Sequence, residues 1–203
     1  FFTALAGRLW CGYACPQTVY TEIFMWAERK IEGDRIARMR LDQAPWGVNK
    51  VLRKGAKQAV WLSIALITGF TFVGFFHPIR ELAPALMEPA KSPWLWFWVL
   101  FYAGATYGNA GYLREQMCKY MCPYARFQSA LIDKDSFVIT YDSARGDPRG
   151  SRSRKPSPAA QALRDCIDCT LCVQVCPTGI DIRNGLQNEC IGCAACIDAC
   201  DQV

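Results

Sequence analysis

Two cysteine runs near the end of the sequence constrain the fold more than any other feature. Both follow C-x2-C-x2-C-x3-C: Cys166, Cys169, Cys172 and Cys176, then Cys190, Cys193, Cys196 and Cys200. This spacing is typical of bacterial domains that bind two 4Fe-4S clusters. Zinc ribbons use paired C-x2-C units instead. The 12 cysteines all fall in compact motifs, unlike a secreted disulfide framework.

The expected cluster ligands cross over between the two runs, because the fourth cysteine of each run ligates the other cluster. The first cluster is therefore expected on Cys166, Cys169, Cys172 and Cys200, and the second on Cys190, Cys193, Cys196 and Cys176. Thiolate is a soft ligand that suits iron–sulfur clusters. The runs predict an α+β two-cluster ferredoxin-like domain over residues 163–203 and a role in electron transfer.

A second motif, C-x-Y-x-C-P, occurs twice, at Cys11–Pro16 and at Cys118–Pro123. Its four cysteines could converge on Cu(I), zinc or a further iron–sulfur cluster. Met117 and Met121 could add thioether ligands for copper, or could simply pack against apolar neighbours. We treat Cys11, Cys15, Cys118 and Cys122 as a candidate copper and redox site; buried inert thiols are the alternative.

The geometry of this second motif has two solutions. If the segment is helical, its cysteines share one face. If the proline opens the next helix, the second cysteine of each motif, Cys15 or Cys122, lies at the N-cap, where the helix dipole favours thiolate. We prefer the second solution.

Two uncharged stretches, 59–76 and 94–113, predict an α-helical membrane protein with transmembrane helices. Residues 1–10 resemble the end of an earlier span, and the chain reads as a fragment cut at both ends. Residues 1–134 then form a membrane domain. Residues 135–162 form a short strand at Phe137–Tyr141 and a basic linker suited to solvent or to anionic lipid headgroups.

Charge predicts the orientation. Nine Lys or Arg residues lie within 29–57, and the linker is also basic, whereas the loop 77–93 has only two. The positive-inside rule places the ferredoxin domain in the cytoplasm of a multi-pass inner-membrane protein. The basic residues form no aromatic-interleaved groove, so we expect no nucleic-acid partner. The single histidine, His77, excludes bis-His haem within the chain.

Several stretches together resemble a known family, the cytochrome c oxidase accessory protein CcoG, also called FixG or RdxA. They are Trp10–Val19 with Glu22–Trp26, Arg145–Gly150, Cys176–Arg183 and Asp201 after the last cysteine. The resemblance implies a bacterial inner-membrane protein that reduces Cu(II) to Cu(I) during assembly of cbb-type cytochrome c oxidase. It also implies copper chaperones or oxidase assembly factors as partners, and further segments outside this chain.

Three functions fit these features. The first is a cupric reductase in which electrons enter through the two clusters and reach copper at the four cysteines. The second is an electron relay like NapH or NosR, which takes electrons from quinol to a partner. The third is a copper-binding assembly scaffold without turnover. The sequence does not identify the electron donor.

Overall fold

The computed structural model describes residues 2–88, 92–151 and 163–203. Two five-residue π-helical turns cover Trp10–Ala14 and Met117–Met121, and a 3-10 turn covers Ile182–Asn184. The α-helices, in chain order, are α1 (Phe2–Ala6), α2 (Pro16–Glu32), α3 (Arg35–Gln43), α4 (Val48–Gly74), α5 (Ile79–Met87), α6 (Pro93–Gly111), α7 (Arg114–Gln116), α8 (Pro123–Ala130), α9 (Ser143–Gly146), α10 (Leu171–Gln174) and α11 (Ala195–Asp201).

The expected α+β ferredoxin-like fold is wrong for the described residues, which contain helices and turns but no β-strand. The alternating segment Phe137–Tyr141 is irregular. The Phe137 backbone N–H donates to the Leu5 carbonyl at 3.1 Å, at the end of a helix and not in a strand ladder. Alternation alone therefore did not specify a pairing partner.

The chain divides into two units, one made of residues 16–114 and the other of residues 2–15 with 115–203. In the first unit, α4 and α6 approach closely at Gly69. A Cβ there would lie 2.5 Å from the Val99 carbonyl oxygen and 2.9 Å from the Ala103 nitrogen. Glycine is required at this position because the two backbones leave no room for a side chain.

Two apolar clusters hold the first unit together. Phe24, Ala27, Trp61 and Ala110 form one, and Val73, Leu82 and Val99 form the other. Next to the apolar cluster around Phe24, the buried carboxylate of Glu28 pairs with Arg38 at 2.9 Å and with Arg114 at 3.1 Å. The ion pairs compensate the cost of burying this charge.

The helix α4 is the one helix of the described residues that is long and apolar enough to cross a membrane. Only 22% of the most apolar 18-residue stretch of α4 is buried, so most of the surface of that stretch faces outward. The multi-span expectation is wrong on this criterion. Helix α6 is uncharged but rich in Trp, Tyr and Gly, with an Asn near its end, and these residues lower its mean hydropathy. A lack of charged residues at 94–113 was therefore not enough to predict a membrane span.

The expectation that residues 1–10 form the end of an earlier span stays a prediction. Helix α1 is only five residues long, and Gly7 follows it with a positive φ of 59°. A Cβ on Gly7 would lie 2.2 Å from the Phe137 carbonyl oxygen. Part of the predicted basic linker, residues 152–162, lies outside the described residues.

Candidate iron–sulfur and thiol site

The second unit contains two cysteine-lined cavities. The first has a volume of about 530 Å³, and its lining includes Cys166, Cys169, Cys172 and Cys200. The second is much narrower, at about 20 Å³, and its lining includes Cys176, Cys190, Cys193 and Cys196. Cys196 also reaches the first cavity and Cys172 the second, so the two are neighbours. This grouping supports the crossed ligand assignment, which stays a prediction.

The two cluster loops repeat the same backbone conformation. Two residues after the first cysteine of each run, Asp168 and Gly192 have positive φ; four residues after it, so do Thr170 and Ala194. A β-branched Thr in the left-handed region is costly and marks a functional constraint. Left-handed residues at alternate positions are typical of backbone nests, in which successive N–H groups point at an anionic group such as an iron–sulfur cluster.

An ion-paired arginine lies at the first cavity. The guanidinium of Arg183 donates to the Asp181 carboxylate at 2.7 Å and also to Asp168. The hydrogen bond to Asp181 raises the pKa of Arg183 and, reciprocally, lowers the pKa of Asp181. The charge of Arg183 is therefore matched by carboxylates, and the triad ties the 181–183 turn to the first cluster loop.

The two C-x-Y-x-C-P motifs share one local structure. In each, a π-helical turn contains the first cysteine, Cys11 or Cys118. The next residue after the turn is the second cysteine, whose N–H donates back five residues, Cys15 to Trp10 at 2.9 Å and Cys122 to Met117 at 2.8 Å. Cys122 is the N-cap of α8, and Cys15 directly precedes the first residue of α2. The preferred N-cap geometry is thus observed for the second cysteines.

The four-cysteine group (Cys11, Cys15, Cys118 and Cys122) lies within one unit. Burial, followed by the other three thiols of the group, raises the pKa of Cys118 to about 11. Burial also raises the pKa of Cys11. Both first cysteines therefore favour the neutral thiol, and the four side chains are close enough to influence one another electrostatically.

Two buried contacts join the first motif to the helix that follows the second motif. The Cys11 thiol donates to Oε1 of Gln128 at 2.9 Å. The guanidinium of Arg8 donates to the Ala125 carbonyl at 3.1 Å. Gln128 and Ala125 both lie on α8, directly after Cys122. These contacts explain why cysteines more than a hundred positions apart in sequence form one group.

The first motif also contacts the loop of the second cluster. A Cβ on Gly12 would lie 3.0 Å from both the Cys193 Cα and the Ile191 carbonyl oxygen. Arg8 donates from its other terminal nitrogen to the Cys190 carbonyl at 3.3 Å. Burial raises the pKa of Cys190, and the charge of Arg8 acts in the opposite direction. The first motif of the four-cysteine group therefore contacts the second cluster loop directly at Gly12.

The four thiols do not converge on one point. Among the described residues, no group of three or more Cys, His, Asp or Glu side chains is spaced to hold a single metal ion. The thiolates of a 4Fe-4S cubane are likewise spaced more widely than the ligands of a single ion, because each binds a different iron. Met117 and Met121 lie at the two ends of the second π-helical turn, and Met121 is 58% exposed.

Sequence reasoning missed Arg8, Gly12 and Gln128. Arg8 was interpreted as the end of a membrane helix, and Gly12 as a variable position inside a motif. Gln128 gave no signal, since a polar residue on a short helix is usually exposed. Only the three-dimensional structure shows that Gln128 is 2% exposed and Arg8 is 6% exposed.

Comparison with protein families supports the cofactor directly. A family model described as a 4Fe-4S dicluster domain matches residues 113–203. A second model, described as a 4Fe-4S binding domain, matches residues 1–33, which include Cys11 and Cys15. The eight cysteines around the two cavities, on loops with the same backbone conformation, are a suitable ligand set for this cofactor. The protein carries two 4Fe-4S clusters.

Comparison with curated proteins gives relatives along the whole chain. The sequence is 47% identical over 201 residues to "Nitrogen fixation protein FixG" of Rhizobium meliloti, covering 99% of this chain and 38% of that protein. It is 46% identical over 202 residues to "Protein RdxA" of Cereibacter sphaeroides, covering 100% of this chain and 42% of that protein. The chain is a homologue of FixG and RdxA. The expected family resemblance is confirmed.

The chain spans about two fifths of the length of FixG and RdxA. A more distant relative is "Ferredoxin-type protein NapH" of Haemophilus influenzae, 23% identical over 194 residues, covering 87% of this chain and 62% of that protein. No solved structure matches the chain. Homology to FixG and the two 4Fe-4S family models together identify an iron–sulfur electron-transfer protein.

Proposed function

We propose that this protein is a membrane-bound cupric reductase that converts Cu(II) to Cu(I) at the four-cysteine group and so assists assembly of a cbb-type cytochrome c oxidase. The single observation that carries the proposal is the contact of the first C-x-Y-x-C-P turn with the second cluster loop, at Gly12 and Cys193. Electron transfer favours such short separations between a donor and its acceptor.

The chemistry requires one electron for each copper ion, and copper is the substrate. The eight cysteines of the two crossed ligand sets would hold the clusters, which would supply single electrons taken from a one-electron donor outside the chain. Thiols suit the product better than the reactant, because Cu(I) prefers soft sulfur ligands.

The residues around the group have separate roles in this proposal. Cys11 and Cys118 hold protons until copper displaces them, because their pKa values are raised. Gln128 orients the Cys11 side chain through its buried hydrogen bond. Met117 and Met121 add thioethers as Cu(I) is formed. Helix α4 attaches the protein to the inner membrane through its exposed apolar surface.

The test uses the full-length parent protein, purified without oxygen. Its clusters are reduced, excess reductant is removed by gel filtration, and Cu(II) is added with a chromogenic Cu(I) chelator. We expect about two Cu(I) per protein in a single turnover, one for each cluster. Changing Cys11, Cys15, Cys118 and Cys122 to Ser should slow the reaction by on the order of tenfold or more.

Iron content and EPR spectra of both proteins provide the control, since the Ser variant must retain its clusters. A Met117→Leu, Met121→Leu double variant tests the thioethers separately while leaving the thiols in place. If the four-Ser variant reduces copper at the wild-type rate, copper takes electrons from the clusters directly and the proposal is wrong.

A second candidate function is a quinol-to-partner relay, which the similarity to NapH favours. In that case the four cysteines would be structural or would hold another cofactor. Rapid reduction of the clusters by a quinol, in a protein that does not reduce copper, would move this candidate to first place.

A further inference from the structure

Arg8 is a buried cation with no carboxylate partner among the described residues. Its side chain contacts two backbone carbonyls, those of Cys190 and Ala125, and its Nε has no hydrogen-bond partner in the part of the chain that the structure describes. Carbonyl dipoles compensate a guanidinium less completely than a carboxylate does. A positive charge therefore remains beside the second cluster loop.

The surroundings of the two cavities differ in charge. Five charged residues line the first cavity, with a formal excess of one negative charge: Asp142, Asp165, Asp201, Arg145 and Arg183. No charged residue lines the second cavity among the described residues. Arg8 thus brings a positive charge without a carboxylate partner among the described residues into direct contact with the second cluster loop.

Burial alone would make the second cluster hard to reduce. Cys169 and Cys200 of the first ligand set are exposed, whereas Cys176, Cys190, Cys193 and Cys196 of the second are all partly buried. Reduction of the second cluster therefore adds negative charge in a less hydrated place. Removal from water disfavours added charge, and nearby opposite charge offsets that cost. Cluster potentials respond to charge, hydrogen bonds and solvent exposure in this way.

We propose that Arg8 is the positioning residue that sets the potential of the second cluster, keeping this buried cluster reducible so that it can pass electrons to the four-cysteine group. Arg8 acts through its charge at the Cys190 loop and through the bond to Ala125 that holds α8 in place. The direction of transfer toward the four cysteines rests on the proposed function; the effect on the potential does not.

The test is an EPR-monitored redox titration of the full-length parent protein, without copper. The variants are Arg8→Gln, which removes the charge, and Arg8→Lys, which keeps it. Arg126→Gln is the matched control, because Arg126 lies on α8 but is exposed. A Cys193→Ser variant assigns the signal of the second cluster.

We expect Arg8→Gln to shift only the second cluster to lower potential. At the wild-type midpoint, its ratio of reduced to oxidised cluster should fall by on the order of tenfold, as loss of one nearby charge in a partly screened site predicts. Arg8→Lys should stay close to wild type, and Arg126→Gln should not change either signal.

Three results would overturn the proposal. One is an unchanged second midpoint in Arg8→Gln with full iron content. Another is an equal shift of both clusters. The third is that Arg8→Lys also loses the second cluster or lowers its midpoint potential, which would make Arg8 a purely structural residue. If Arg8→Gln fails to assemble the cluster while Arg8→Lys keeps it at the wild-type potential, charge is the required property and the proposal stands. Because no copper is present, failure of this test is distinct from failure of the cupric reductase proposal.

Discussion

Cys11 has a buried thiol held in place by a single side-chain hydrogen bond. Its thiol is 8% exposed and donates a hydrogen bond to Gln128, which is itself buried. A thiol in this state is less reactive than a thiolate, so stray oxidation is disfavoured. In the proposed reaction copper would displace this proton, and the Gln128 side chain, rotated about its amide, would present N–H₂ to the thiolate.

The raised thiol pKa values predict a pH dependence. Each thiol that binds Cu(I) releases a proton, so affinity should rise about tenfold per pH unit for each proton released. An ordinary thiol would stop contributing near its reference pKa of 9.0, whereas Cys118 should contribute up to about pH 11. Competition with a Cu(I) chelator across pH 7 to 11 measures this.

The matched variant for this titration is Cys118→Ser. It should release about one proton fewer on binding Cu(I), which lowers the slope of log affinity against pH by about one. The prediction fails if the affinity of the wild-type protein levels off near pH 9, or if the slope is the same in both proteins.

At the scale of elements, the repeated π-helical turn is the main structural device of the site. A π turn widens the helix by one residue, and such bulges occur often at functional sites. Here each turn ends on an extended cysteine that directly precedes a proline. The same local sequence thus produces the same local structure twice, which supports a shared task for the two copies.

Gly12 makes the contact between the first turn and the second cluster loop, so we expect Gly12→Ala to disturb it. The added Cβ would force Cys193 or Ile191 to move by a few tenths of an ångström. Such overpacking typically costs about 1–3 kcal/mol. We predict faster loss of one cluster on dilution and slower copper reduction, followed by iron release and by single-turnover kinetics.

Gly104→Ala is the matched control for that change. Gly104 lies in α6, and a Cβ there would meet nothing within 4 Å. Helical Gly→Ala changes at open positions are neutral or stabilising. Equal cluster lifetimes and copper rates in the two alanine variants would show that the Gly12 contact is unimportant.

At the scale of the whole molecule, the sequence predicted chemistry better than architecture. Cysteine spacing predicted the 4Fe-4S clusters because ligand chemistry leaves few alternatives at that spacing. The helix after Pro16 and the apolar helix around residues 59–76 were also predicted, since proline position and a long apolar run are strong local signals.

The errors concern features that depend on distant partners. A strand at Phe137–Tyr141 needs a neighbour to pair with, and α1 lies there instead. The second membrane span was inferred from missing charge, although Trp, Tyr, Gly and Asn keep the mean hydropathy of α6 below that expected of a membrane span. The buried roles of Arg8 and Gln128 arise only when residues far apart in sequence meet.

The most direct test of the central claim is X-ray absorption at the copper edge, on the full-length parent protein loaded with one equivalent of Cu(I). The account predicts sulfur as the main scatterer around copper in wild type, and its loss when Cys11, Cys15, Cys118 and Cys122 are changed to Ser with iron content unchanged. Nitrogen and oxygen scatterers in wild type, or the same sulfur shell in the variant, would contradict the claim that these four cysteines form the copper site.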